Sequence, residues 1–361
     1  MILSSTHFAL FLYMPCIFTN IGNYERIKTM RDLDKYYKGE DNHMYDIVAI
    51  GEILIDFTPT GRSDQGGQLF EQNPGGAPGN VAVACAKLGG SAAFIGKVGR
   101  DAFGQFLKKT LETNGVDTKG LIYTDDARTT LAFVHLHEGG ERSFSFYRNP
   151  GADMLLQPEE VDRSLIDNCR IFHFGSVSLS AGTAVDATMK AVDYARRCGK
   201  IVSFDVNYRK PLFPNEYQAV SAINAALPYA DILKVSHEEM ELLTGESDPV
   251  TGSEKLIGNA SLVLVSMGPQ GAFYRNSKSY GHVGTFKVDT IDTTGAGDAF
   301  FGALLYRIRG MSPEEIRNMD SSALEEIVRF ANAAGALSTM KKGAIPSLPS
   351  KAEIQALLLG K

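Results

Sequence analysis

From Tyr45 onward the chain repeats one pattern: a short apolar run, a break, a helical stretch, and another apolar run. Asp46-Ile-Val-Ala-Ile-Gly51 reads as a buried strand, and Val81–Leu88, stopped by Gly89-Gly90, as a helix. Ala92–Gly96, Arg170–Phe174, Ile201–Asp205, Asp231–Val235 and Leu262–Ser266 read as further strands. Phe103–Asn114, Ala184–Cys198, a stretch near Glu238–Leu243, Asp298–Arg309 and Ala323–Lys341 read as helices. Strands separated by helices are joined by crossovers into a parallel sheet covered on both faces. The expected fold class is α/β, a doubly wound, mostly parallel sheet flanked by helices.

Two segments break this rhythm. Thr58–Phe70 is polar and glycine-rich. Thr129–His137 and Arg142–Arg148 alternate apolar and polar residues around Glu138-Gly-Gly-Glu141, the pattern of a β-hairpin with one exposed face. Such a hairpin suits a flap over the carboxyl ends of the strands, where open α/β sheets bind ligands. His135 and His137 alternate onto one face and read as solvated strand residues, not metal ligands.

Asp292-Thr-Thr-Gly-Ala-Gly-Asp-Ala-Phe300 carries the chemistry. It passes through a glycine-flanked turn into a carboxylate that opens an apolar helix. A helix N-terminus presents free N–H groups and partial positive charge, so it binds anions. Gly295 and Gly297 permit close approach of the backbone to a phosphate. An anion hollow with a carboxylate on its rim suits phosphoryl transfer to a hydroxyl.

The 361 residues suffice for one large α/β domain or two ordinary ones. A net charge of −6 gives no footprint for nucleic acid, and no basic run suggests a membrane surface. Cys16, Cys85, Cys169 and Cys198 are scattered, which argues against a disulfide framework or a structural zinc and fits a reducing, cytoplasmic compartment. Residues 1–43 do not match the rest. Phe8–Phe18 is apolar but shorter than the about 20 residues a span needs, with no Lys or Arg before it and no clear cleavage site after it. Met44 reads as the domain's own start, with residues 1–43 as upstream sequence or a disordered tail. Lys38-Gly-Glu-Asp41 fits that reading, since a purine-rich ribosome-binding run can encode it.

No Walker A loop is present: Gly96-Lys97 is followed by Val98 and lacks the upstream Gly and the Ser/Thr. Two other stretches occur together. One is Asn73-Pro-Gly-Gly-Ala-Pro-Gly-Asn80, continued by Val81–Gly90 and Phe94-Ile-Gly-Lys-Val-Gly-Arg-Asp101; the other is Asp292–Phe300. They resemble the N-terminal and C-terminal signatures of the ribokinase-like (PfkB) carbohydrate kinases. The resemblance covers roughly residues 45–360, and residues 44–361 are expected to form the kinase domain.

The resemblance implies a ribokinase-like fold with a small β-sheet lid, its segments at about 58–72 and 121–149. It implies Asp298 as catalytic base and Gly295, Ala296 and Gly297 as anion hole for the γ-phosphoryl. On the sugar side it implies Asp56, the di-glycine hinge Gly75-Gly76, Asn80 and Arg148. Asn80 reads equally as the cap that opens its helix. Asn207 and Arg209, in Asp205-Val-Asn-Tyr-Arg209, face the phosphates or the sugar. Lys234-Val-Ser-His-Glu-Glu239 stands where the family has N-x-x-E, with Ser236 for the usual Asn; Glu239 is expected to act through Mg2+-bound water. Ser266-Met-Gly-Pro-Gln-Gly271 resembles a nucleotide loop, giving Ser266, Gly268 and Gly271, with Lys234 and Asn332 also on the ATP side. Asp292, Thr294, Ser338, Lys341, Gly343 and Ser347 match positions enclosing a monovalent cation, K+.

Within the family, Asn73–Ala82, Phe146–Leu156 and Gly51–Asp56 most resemble fructokinases. The implied partners are a sugar and ATP. A 2-keto-3-deoxygluconate kinase, another sugar or nucleoside kinase, and a non-catalytic fructokinase-like binding protein are the alternatives. The hairpin's outer face, with Phe133, Phe144 and Phe146, suits a homodimer through the lid; the opposing reading packs these rings on the sugar-facing side.

Overall fold

Apolar strands pair into a nine-stranded sheet whose central members are buried on both faces. A computed structural model describes residues 44–136 and 142–360; the expectations for residues 1–43 and for the Glu138–Glu141 turn with His137 lie outside them. The strands of this sheet are β1 (Tyr45–Ile50), β4 (Ala92–Gly99), β5 (Val116–Thr124), β8 (Cys169–Gly175), β9 (Ile201–Asp205), β10 (Ile232–Ser236), β11 (Leu262–Ser266), β12 (Ala272–Arg275) and β13 (Tyr280–Val283). Their order is β13-β12-β11-β10-β9-β8-β1-β4-β5, parallel except for the antiparallel β12 and β13.

The helices in chain order are α1 (Ala77–Lys87), α2 (Ala102–Thr113), α3 (Arg163–Asp167), α4 (Ala184–Arg197), α5 (Glu216–Ala226), α6 (His237–Thr244) and α7 (Pro249–Ile257). They are followed by α8 (Ala296–Ile308), α9 (Pro313–Arg317), α10 (Ser321–Ser338) and α11 (Lys351–Leu358). Two apolar clusters cover the two faces of the sheet. Ile47 and Phe94 belong to one with α1, α8 and α10; Val48 and Ile95 belong to the other with α4. This is the doubly wound architecture expected from the alternation.

A second, four-stranded sheet is ordered β3-β2-β6-β7, from β2 (Leu54–Arg62), β3 (Gln68–Gly75), β6 (Leu131–Leu136) and β7 (Arg142–Tyr147). The polar Thr58–Phe70 stretch is thus two paired strands and their turn. Glycines hid the strands: Gly61 sits at a bulge within β2, and Gly66 and Gly67 belong to the turn between the two strands. Leu121–Thr124, assigned from sequence to the lid, instead complete β5 beside β4 in the large sheet. Phe133 stacks on Phe57 at 4.9 Å and meets Phe70 and Tyr147, whereas Phe144 and Phe146 stack on each other. In the pleat, Phe133 and Phe57 lie on one face; Phe144 and Phe146 share the other with Asp56, so the three phenylalanines divide between the two readings.

Candidate active site

Two helix N-termini are brought together by small residues. Gly302 of α8 lies so close to α1 that a Cβ there would sit 2.6 Å from Ala84 Cβ and 2.9 Å from the Val81 carbonyl oxygen. The helices therefore pack backbone to backbone, and their first turns are neighbours. Asp298 stands in the first turn of α8, 8% exposed. Asn80 stands in the first turn of α1, and its amide donates to Asp298 Oδ2 at 2.7 Å. Asn80 does not open the helix as expected. Gly76 does, with no side-chain cap, so the amide is free to serve Asp298. Asn80 Oδ1 is buried without a hydrogen-bond partner.

Gly295 takes φ 77°, a left-handed turn that also lets it pass Ala344, whose Cβ would be 2.8 Å from any side chain placed there. The N–H groups of the first turn of α8 have no intrahelical partner by construction. That of Ala296 is engaged in a turn with the Thr293 carbonyl at 3.2 Å, so of the three expected anion donors it is the one already occupied. Burial raises the Asp298 carboxyl, and Asp205 adds to this; the Asn80 bond, Lys234 and Arg209 pull it back down.

Beneath the turn lies a buried ion pair. Lys234 and Asp205 are register partners on β10 and β9, and Lys234 Nζ donates to both Asp205 oxygens at 2.8 Å. A Cβ on Gly297 would be 3.2 Å from that ammonium, so the missing side chain leaves it room. Burial alone would lower the lysine, but Asp205, Glu239 and Asp298 together outweigh it and the net shift is upward. Asp205 was not singled out from sequence. Its signal is there: one acid ending the apolar run Ile201–Phe204 and one base inside Ile232–Val235.

A cleft of about 580 Å³ opens on these groups, lined by Asn207, Arg209, Lys234, Glu239, Ser266, Thr294, Gly295, Gly297 and Asp298 among the expected residues. Tyr208, Glu216, Ser236, Glu238, Leu242 and Thr293, which the motifs did not mark as site residues, complete the lining. Asn207 holds φ 39°, a left-handed value for a non-glycine residue. Glu239 closes a capping box with Ser236, its Oε2 accepting from Ser236 N–H at 2.7 Å while Oε1 accepts from Tyr208 N–H at 2.6 Å. Ser236 in place of Asn thus supplies a helix cap, and Glu239 holds the Asn207–Arg209 loop.

The remaining expected residues lie outside the lining. Asp56 leans over Gly75, where a Cβ would be 2.1 Å from its Oδ2. Desolvation raises Asp56 to about 7; Arg209 opposes this, while Asp298 and Asp292 add to it, which ties this acid electrostatically to the α8 turn. Gly76 has φ 111° and closes on the Glu52 carbonyl. Arg148, expected on the sugar, is buried and donates to Asp153 Oδ2 at 2.7 Å and Ser180 Oγ at 2.8 Å. Gly268 and Gly271 shape a tight turn after β11, with φ 54° and 100°. The Asn332 amide donates to the Val283 and Gly284 carbonyls at 2.9 and 3.2 Å, so it pins α10 to the end of β13.

The proposed cation residues divide. Asp292 is buried, its carboxylate accepting from Thr294 N–H at 2.8 Å and Gly343 N–H at 3.0 Å, which joins the two loops. Ser338 and Ser347 donate to the Gly335 and Ala344 carbonyls. The Lys341 side chain turns away to Glu353, 3.0 Å distant, and takes no part. Among the described residues no group of three His, Cys, Asp or Glu side chains is placed to hold a metal ion. Nor is any helix among them long and apolar enough to cross a membrane. Cys85, Cys169 and Cys198 are unbridged.

A glycine turn that opens α8, a buried carboxylate in its first turn and a second acid electrostatically coupled to it suit a phosphotransferase acting on a hydroxyl. The chain belongs to the pfkB family of carbohydrate kinases, whose pattern matches residues 44–351. It is 46% identical over 316 residues to a probable fructokinase-3 of Arabidopsis thaliana, covering 86% of this chain and 91% of that one. It is also 46% identical to fructokinase-2 of Solanum lycopersicum over 87% of this chain and 96% of the relative. Among solved structures, a fructokinase with bound ATP from Xylella fastidiosa matches with a TM-score of 0.79 and 34% identity, over 88% of this chain and 99% of that one. A Vibrio cholerae O395 fructokinase in a fructose-, ADP- and calcium-bound form matches with a TM-score of 0.78 and 36% identity, over 86% and 98%. The chain is a sugar kinase with a ribokinase-like fold.

Proposed function

We propose that this chain transfers the γ-phosphoryl group of ATP to a hydroxyl of fructose, with Asp298 as general base. The observation that carries this is the position of Asp298: buried, at the rim of the Gly295–Gly297 turn, and coupled to Asp56. Phosphoryl transfer is mostly positioning and charge stabilisation. Bond formation to the nucleophile is late, so a carboxylate of near-ordinary basicity can take the hydroxyl proton. Asn80 orients that carboxylate through its 2.7 Å bond. Gly295 and Gly297 offer N–H groups to the developing phosphoryl charge, and Ala296 joins them once its N–H leaves Thr293. Asp56 accepts from sugar hydroxyls, and the Gly75-Gly76 turn lets the lid follow. Asn207, Arg209, Lys234 and Ser266 serve the phosphate end of the nucleotide, with the Gly268–Gly271 turn and Asn332 supporting its far end.

Magnesium fits as a companion of the phosphates, because the acids among the described residues build no cage for it. When bound it would neutralise phosphate charge, and Glu239, which lines the cleft, would meet its water shell. A K+ fits the hard-oxygen character of Asp292 and the loop carbonyls it joins; Thr294, Gly343, Ser338 and Ser347 supply the surrounding backbone. Assay with tetramethylammonium as the only monovalent cation is expected to lower activity, and unchanged activity removes K+ from the reading. Exposed Phe70 and Tyr147, on the lid face where Phe57 also meets Phe103 of α2, are aromatic surface suited to a second copy. Light scattering at the dimer mass supports that arrangement, and the monomer mass excludes it.

Relatives named as fructokinases at 46% identity support the choice of sugar. The Arg148 guanidinium, already neutralised by Asp153, suits a neutral sugar better than the carboxylate of 2-keto-3-deoxygluconate. The test is ATP turnover on fructose, 2-keto-3-deoxygluconate, ribose and nucleosides. The highest kcat/KM is expected with fructose. A different preferred acceptor overturns the sugar, and turnover of none overturns the catalytic reading.

A further inference from the structure

Four chain crossings join the lid to the body, and two of them run side by side. Gly51–Ile53 leads from β1 into β2, and Gly75–Ala77 leads from β3 into α1. They interlock with no space between. A Cβ on Gly51 would be 2.6 Å from Pro78 Cγ, and one on Gly76 would be 2.6 Å from the Glu52 carbonyl oxygen and 2.8 Å from Ile53 Cα. Gly79 in turn meets Ile53 Cδ1.

Glu52 sits at the centre of this contact, 4% exposed. Its Oε1 accepts from Ala77 N–H at 3.0 Å, and its Oε2 is buried with no hydrogen-bond partner. Helix α1 has no side-chain cap of its own, since Gly76 occupies the N-cap. Glu52 supplies that acceptor, but from the other crossing; burial pushes its carboxyl up to about 7. The charged groups acting on it are Asp153 and Arg148, themselves paired at the exit of the lid hairpin. A buried carboxylate with one oxygen unpartnered is costly to keep, so a core contact alone does not account for it.

We propose that Glu52 is a positioning residue for the lid, tying its two adjacent crossings so that the strand bearing Asp56 and the Gly75-Gly76 turn move as one. The inference rests on the sugar-kinase reading above. Glu52 touches neither the Asp298 turn nor the cleft, so its effect falls on sugar capture and leaves nucleotide capture alone.

The test is steady-state kinetics of the full chain and two variants, with sugar and ATP varied separately. Glu52→Asp keeps the carboxyl but withdraws the acceptor from Ala77. It is expected to raise the sugar KM roughly 3- to 10-fold, the effect of one lost hydrogen bond, with the ATP KM unchanged. Glu52→Gln keeps the acceptor and is expected to restore the sugar KM. Equal movement of both KM values, or failure of the Gln variant to restore the sugar KM, overturns the proposal. Wild-type turnover decides the underlying reading separately: no sugar phosphorylated means the kinase reading fails, whereas a normal wild type beside an unaffected Glu52→Asp enzyme means only the tie fails.

Discussion

The amide of Asn80 and the carboxylate of Asp298 lie 2.7 Å apart, although 218 residues of chain separate them. Each belongs to the first turn of its own helix, and the contact exists because α1 and α8 touch through Gly302.

Asp298→Asn is expected to lower kcat by about 10²–10⁴-fold, the range for a lost general base, with little change in ATP binding. Asn80→Ala removes the hydrogen bond that favours the charged form. The Asp298 carboxyl then rises further, and the acidic limb of the kcat profile is expected to move to higher pH. An unmoved limb would show that Asp298 is not the group that titrates.

Gly302→Ala inserts a methyl group where 2.6 Å is available. Overpacking of this kind costs about 1–3 kcal/mol. Thermal unfolding is expected to show that loss, and kcat is expected to fall with it as α1 and Asn80 are pushed from Asp298. A variant of normal stability means that the helices have slack the packing does not show.

Lys234→Met leaves Asp205 buried and unpaired. Breaking such a pair costs about 3–5 kcal/mol, whereas replacing both partners with apolar residues is often close to neutral. Denaturant titration is expected to show a large loss for Lys234→Met and recovery in Lys234→Met/Asp205→Leu. Equal stability of the single and double variants would contradict the pairing.

Asp56 gives a pH signature. Its carboxyl stands at about 7 in the folded chain against an ordinary value near 3.8, because it is desolvated. Between those values the folded state binds more protons than the unfolded state, so this group's contribution to stability is present at low pH and is lost as pH rises through 7. Asp56→Asn is therefore expected to melt higher than wild type at pH 8, with the difference fading toward pH 4, while the sugar KM rises. Melting curves across that range decide it; a variant less stable at pH 8 reverses the sign.

The alternation of apolar runs and helices made the parallel sheet legible, and Ile201–Asp205 and Leu262–Ser266 are strands with the expected ends. The edge strands β12 and β13 were not legible, because four-residue antiparallel strands carry too little pattern. The Gly295–Asp298 turn into α8 could be read directly, since its glycines and carboxylate are contiguous in sequence. Asp205 with Lys234, and Glu52 with Ala77, could not: each depends on which segments become neighbours, and that is set by strand order. Asn80 was placed at the correct helix end but one turn late, because Pro78 inside the first turn disguised the start.

The lid is spliced into the body at two places, residues 54–75 after β1 and residues 131–147 after β5. Residues 292–298, with the turn and its carboxylate, lie far downstream. On the reading proposed above, acceptor choice and phosphoryl chemistry are written in separate stretches of the gene, and substitutions at Asp56 or Gly75-Gly76 can change the sugar while the Gly295–Asp298 sequence stays as it is.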